Sequence, residues 1–130
     1  MDIDAALDGI LQRDKRFSRE AYEFVSEALH YTAKRLGKLK KDLSREQRHV
    51  SGQQLLEGVR RLGQTRFGFL AADVFRQWGI RSSRNFGEIV FNMVDAKLME
   101  KREADSIEDF SDGLDIEKSL AGDFEIEIDR

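Results

Sequence analysis

The chain has no cysteine, which excludes a disulfide framework, a thiolate metal site and a cysteine nucleophile, and nothing in it argues for an oxidising compartment. It has only two histidines, His30 and His49, and neither has a second ligand three or four residues away, so no metal site and no cofactor are expected. His30 lies among apolar neighbours on a helical stretch and reads as a structural residue, while His49 precedes a helix start and reads as part of that turn. No serine sits in a G-x-S-x-G context. Asp109 and Asp112 are closely spaced carboxylates, but the ligand order and central glycine of an EF-hand are missing, leaving only unspecific divalent-cation binding. No apolar run approaches the roughly 20 residues that span a bilayer. The first residues, MDIDAALDGILQRDKR, lack a basic segment followed by a hydrophobic one. These absences lead to the expectation of a cytoplasmic chain with no membrane contact and no catalysis, because no acid, base, nucleophile or metal cluster can be named.

What is present fits one domain: 130 residues can bury a real core, and a composition 40% hydrophobic and 36% charged puts the charge on solvated helix faces or in tails. The net charge of −3 hides an uneven layout. Residues 1–102 hold 20 Lys and Arg against 14 Asp and Glu, a net +6, whereas residues 103–130 hold 2 against 11, a net −9.

The apolar spacing predicts a mainly α chain of about five helices in one compact domain over residues 1–110. A small β-hairpin near its end and an acidic tail over 111–130 complete the expected organisation. Ile3, Leu7, Ile10 and Leu11 form a short amphipathic stripe. Ser18 is a candidate N-cap for a second helix carrying Tyr22, Val25, Leu29, Ala33 and Leu36, widened by Phe24, Ala28 and Tyr31, and ending at Gly37. So broad a stripe predicts packing on two sides, with its aromatics filling core rather than stacking on bases.

Ser51 with Gln54 makes a capping box, and Val50 with Leu55 the matching hydrophobic staple, so two devices mark one helix start. Arg60, Arg61 and Arg66 fall on or near the face opposite Leu55, Leu56, Val59 and Leu62. Gly58 and Gly63 inside this helix predict a close neighbour, either a helix or an aromatic ring, because each costs about 1 kcal/mol against alanine. A break at Phe67 to Phe69 precedes a helix that stops at Gly79 and Ile80 in a Schellman arrangement. Ser83 or Asn85 caps the next helix, with Phe86, Ile89, Val90, Met93, Val94 and Leu98 on its stripe. Residues 98–102 and 106–110 are the candidate hairpin, and FEIEI alternates from Phe124 to Ile128 like a strand that needs an edge.

Two functional readings follow, both of a non-catalytic binding or regulatory module. The first is a protein-interaction adaptor using an apolar groove beside Trp78 and Phe86. The alternative is a nucleic-acid binder gripping phosphate through Lys38, Lys40, Lys41, Arg45, Arg48, Arg81 and Arg84. For the second, the order of helix, IRSS turn, helix and hairpin is similar to a winged helix-turn-helix, although the usual alanine and glycine spacing is not met. The charged run at residues 38–49 reads equally as a solvated connection. The acidic tail is either a brake that competes with phosphate for the basic body or a plain solubilising terminus, and the plainer version is preferred.

HVSGQQLLEGVR, FGFLAADVFRQWGI, NFGEIVFNMVD and DSIEDF, in that order, resemble a family of small uncharacterised proteins of planctomycetes and verrucomicrobia, from about Phe17 to about Leu120. The resemblance implies a bacterial, cytoplasmic, stand-alone protein and carries no functional residue with it.

Overall fold

A computed structural model of the chain describes residues 3–99, and in these the chain is mainly helical. Six α-helical segments follow one another: α1 (Ile3–Arg13), α2 (Arg19–Arg35), the single turn α3 (Arg45–Arg48), α4 (Gly52–Phe67), α5 (Ala71–Gln77) and α6 (Ser83–Asp95). A 3₁₀ turn, Gly68–Leu70, joins α4 to α5. The hairpin expected over 98–110, apart from its first two residues, the acidic tail over 111–130 and the strand at 124–128 lie outside the described residues.

Helix α2 is the centre of the bundle. Its stripe of Ala21, Tyr22, Phe24, Val25, Ala28 and Ala33 is buried, and it packs against α1, α4 and α6, as the width of that stripe requires. Helix α4 runs antiparallel to it: Gly58 lies beside Thr32, Arg66 reaches Glu27 at 2.6 Å, and Phe67 stacks near Phe24. Close approach at Gly58 and Gly63 has the two causes expected from sequence. A helix, α2, meets the first, and a ring, Phe75, comes within 3.0 Å of where a Cβ on the second would sit.

Chain ends of the elements are set locally. Gln54 N donates to Ser51 Oγ at 3.1 Å while Ser51 N donates to Gln54 Oε1 at 3.0 Å, the reciprocal capping box that starts α4. An equivalent box joins Ser44 and Gln47 around α3. Ser18 occupies the N-cap of α2 by backbone conformation but makes no side-chain cap bond; its N–H donates to the Trp78 carbonyl at 3.1 Å. Gly37 ends α2 with φ +72° and Lys38 N bonded back to the Ala33 carbonyl at 2.8 Å. Gly79 ends α5 with φ +95°, and Ile80 N returns to the Phe75 carbonyl at 2.9 Å, the Schellman closure. A Cβ on Gly79 would stand 1.9 Å from the Arg16 carbonyl oxygen, so the α5–α6 turn is pressed against the start of α2.

The start of α6 differs from both expected caps. Ser82 is the N-cap, and the Asn85 side chain serves it from within the helix, its Oδ1 accepting from Arg81 N at 2.8 Å and Ser82 N at 3.1 Å. Ser83 is instead buried.

Five aromatic residues form one continuous cluster. Phe24, Phe67, Phe75 and Trp78 have ring centroids 5.3–6.5 Å apart, and Phe86 meets Phe75 edge-on at 5.4 Å. Each such ring pair contributes about 0.5–1.5 kcal/mol beyond the burial of its area. His30, expected as a structural residue, is exposed on α2 and takes no part in this core.

Candidate nucleic-acid interface

The densest positive charge lies where α2 ends. Residues 34–48 hold seven Lys and Arg, namely Lys34, Arg35, Lys38, Lys40, Lys41, Arg45 and Arg48, against Asp42 and Glu46, a net +5. The left-handed turn at Gly37 reverses the chain, and two long side chains then fold the loop on itself. Lys38 Nζ donates to the Gln47 carbonyl at 3.2 Å, and Arg48 Nη2 donates to the Lys41 carbonyl at 2.8 Å. These bonds bring Lys38, Lys41 and Arg48 together with Lys40 in the same turn.

Hydrogen bonds to carbonyl oxygens hold the cations in place without neutralising them. Part of the charge has a structural reason, since Lys34 and Arg35 fill the last turn of α2, where the helix dipole favours cations. The dipole supplies only about half a negative charge, which is small beside a net +5.

Most arginines elsewhere are ion-paired. Arg16 chelates Asp14 at 2.7 Å and reaches Glu88 at 3.0 Å; Arg19 pairs with Asp4 and Asp8; Arg66 pairs with Glu27 and Arg76 with Asp73. Arg60, expected on an outer face, is nine-tenths buried: both carboxylate oxygens of Glu57 accept from it at 2.7 Å, and Gln64 Oε1 accepts at 3.0 Å. The hydrogen bonds from Arg60 hold the Glu57 carboxyl below its usual range against the opposing effect of burial. Lys34, Arg35, Lys40 and Lys41, by contrast, are exposed and have no ion-pair partner among the described residues. Arg13, Lys15, Arg81 and Lys97, which also have no ion-pair partner among the described residues, are dispersed over the end of α1, the turn before α6 and the end of α6.

The seven residues expected to touch phosphate therefore separate into two groups. Lys38, Lys40, Lys41 and Arg48 share the loop at the C-terminal end of α2, and Arg45 opens α3 in the same segment. Arg81 and Arg84 lie at the other end, where Gly79 presses on Arg16 and Asn85 bonds to Glu88 at 2.8 Å. The 17 residues of α2 between them span about 25 Å. One compact patch including both groups is ruled out by that length. Lys34 and Arg35 belong to the first group and are missed when the segment is read from residue 38, although they adjoin it in sequence.

Helix α6 is poorly built to read a groove. Of its 13 residues only Arg84 and Asp95 are exposed, Phe86 and Gly87 are buried, and Asn85 is committed to the cap. The adaptor surface changes as well. Phe86 is 0% exposed inside the core, because it shares the helical stripe of Ile89 and Met93, and Trp78 is half-buried against Phe24, Phe67 and Phe75. Among the described residues the exposed large apolar side chains are Ile3 at 61%, Leu39 at 51%, Phe69 at 70% and Leu70 at 53%, the last two adjacent and next to Gly68, which takes φ +60°.

Among the described residues no three His, Asp or Glu side chains stand close enough together to hold a metal ion, and no helix is long and apolar enough to cross a membrane. Compared with protein-family models, with curated proteins and with solved structures, the chain finds no match.

Proposed function

We propose that this chain is a non-catalytic binding module that holds a nucleic-acid backbone at its basic end, residues 34–48. The observation that supports this reading most is the exposure of Lys34, Arg35, Lys40 and Lys41 without carboxylate partners on a chain whose other arginines are mostly paired. Phosphates spaced along a backbone match a group of such cations, and binding releases condensed counterions in proportion to the contacts made. With no groove-reading helix offered, the contact is to backbone and carries little sequence preference.

Anisotropy titration of a labelled single-stranded oligonucleotide and of a duplex, at several salt concentrations, tests the reading. Affinity falls with a log–log slope of about −3 to −4, as four phosphate contacts would give. The double substitution K40A/K41A weakens binding and makes the slope shallower by roughly 1 to 2. Neither side chain holds the loop, since Arg48 grips the Lys41 carbonyl and not its ammonium. A salt-independent affinity, or one that K40A/K41A leaves unchanged, overturns the proposal.

A second reading, the protein-interaction adaptor, is favoured by Phe69 and Leu70. Two adjacent large apolar side chains, both more than half exposed, suit a small apolar contact. On this reading a protein partner is retained through nuclease and high salt and lost on F69S/L70S.

A further inference from the structure

Helix α2 carries three aromatic side chains, and the core accounts for two of them. Phe24 stands in the aromatic cluster, and Tyr22 meets Phe17 edge-on at 6.4 Å while its hydroxyl accepts from Asn92 at 3.1 Å. Tyr31 differs from both. It is half-buried with one side packed against the core, and among the described residues no aromatic ring pairs with it and no hydrogen bond reaches its hydroxyl. A ring with an anchored body and an idle polar tip is the kind of side chain that binding surfaces favour.

Its position joins Tyr31 to the basic end. Lys34 and Arg35 follow it by three and four residues, so the three share one face of α2 within about 6 Å along the axis. Helical side chains lean toward the N-terminus, which carries the two cationic stems back toward the Tyr31 ring. The carboxylate one turn earlier on that face, Glu27, is already engaged by Arg66 at 2.6 Å. Past the turn at Gly37, Leu39 is 51% exposed between Lys38 and Lys40, a second apolar group in the same charged surroundings.

We infer that Tyr31 is a base-stacking residue, and that the ligand of the basic end is single-stranded nucleic acid, with a base on Tyr31 and phosphates on the neighbouring cations. This rests on the reading of residues 34–48 as the phosphate-binding surface, and it adds which form of nucleic acid that surface takes. A single strand leaves the faces of its bases open, and stacking accepts any base, which agrees with a contact of little sequence preference. In a duplex each base is covered by its neighbours, and reaching its face means breaking both stacking and pairing. Tyrosine suits the task because only two side-chain torsions have to be fixed, and packing against the core already restrains them.

The experiment uses the full chain and three labelled probes of equal length: a single strand, the same strand with abasic residues in place of its nucleotides, and a duplex. Anisotropy is read at low and raised salt. Wild type is expected to bind the base-bearing strand about tenfold more tightly than the abasic strand, although the two carry the same charge. This comparison needs no variant and so does not depend on one folding. Tyr31→Ala is expected to remove the difference, and Tyr31→Phe, which keeps the ring, to retain it. Equal binding of the two strands by wild type, still falling with salt, overturns the inference and leaves the phosphate-binding reading intact. A loss in Tyr31→Ala that is equally large on the duplex also overturns it. A preference for the base-bearing strand with no response to salt supports stacking and overturns the phosphate reading, and no binding of any probe overturns both.

Discussion

A Cβ built on Gly58 falls 1.7 Å from Thr32 Oγ1, 3.1 Å from Thr32 Cβ and 3.4 Å from the Ala28 carbonyl oxygen. Thr32 cannot simply turn away, since it is fully buried and its hydroxyl donates to that same carbonyl at 2.7 Å. Helix propensity alone makes Gly58→Ala stabilising by about 1 kcal/mol. Overpacking costs about 1–3 kcal/mol, and an overlap of this size lies at the upper end, so the substitution is destabilising by about 1–2 kcal/mol in urea unfolding. The partner substitution separates the two effects. In a Thr32→Ala background the Oγ1 that overlaps the new methyl is gone and the Cβ of residue 32, 3.1 Å away, is the one tight contact left, so Gly58→Ala there becomes neutral within about 0.5 kcal/mol. An equal loss in both backgrounds shows that something other than Thr32 opposes the methyl.

Two helix starts that look alike in sequence differ as elements. Ser51 and Gln54 exchange two hydrogen bonds at the start of α4, so Ser51→Ala removes one and costs about 1 kcal/mol. Ser18 has the N-cap conformation at the start of α2, yet its hydroxyl is buried with no hydrogen-bond partner among the described residues. Ser18→Ala removes an unsatisfied group and is neutral or slightly stabilising. Chemical denaturation of the two variants checks the contrast, and a loss of about 1 kcal/mol in Ser18→Ala would falsify it. The contrast also marks what was readable from sequence. Caps with a reciprocal partner three residues on, stops at a glycine, and close approach at interior glycines are local grammar, and each has its structural counterpart. Whether a lone serine acts as a cap depends on the neighbouring element; here the Trp78 carbonyl across the turn accepts from the Ser18 backbone N–H, and no local pattern encodes that. Phe86 is a different case: its spacing from Ile89 and Met93 already argued for burial and against a contact surface. The break at Phe67 to Phe69 is legible in sequence, but the exposure of Phe69 and Leu70 beside it is not, since it depends on the path the chain takes at Gly68, where φ is +60°.

At the scale of the whole molecule the uneven charge was legible by counting, but the contacts that join distant elements were not. The clearest is the polar network around Asp14, which links the connection before α2 to α6 across 78 residues of sequence. Arg16 holds both carboxylate oxygens of Asp14, and Asn92 Nδ2 donates to Asp14 Oδ2 at 3.0 Å and to Tyr22 Oη at 3.1 Å. Hydrogen bonding from the Arg16 guanidinium holds the Asp14 carboxyl well below its usual range, overcoming the partial burial that opposes it. Burial pushes the Tyr22 hydroxyl the other way, above its usual range. For Asp14 the folded chain is the stronger acid, so its contribution is complete above the unfolded pKa of about 4 and is lost as pH falls through the depressed folded value. For Tyr22 the folded chain is the weaker acid, so its contribution is complete below about pH 10 and is lost as pH rises through the raised folded value. Glu57, depressed by Arg60, adds to the acid limb with the same sign. Asp14→Asn therefore costs about 1–2 kcal/mol at neutral pH, the lower part of that range being expected because the Arg16 side chain is 53% exposed and screened. Urea midpoints measured against pH for wild type and Asp14→Asn converge as pH falls from about 4 to about 2, and Tyr22→Phe flattens the alkaline limb alone. A gap between wild type and Asp14→Asn that stays constant over the acid range would mean that the carboxylate charge is not what ties α6 to the start of α2.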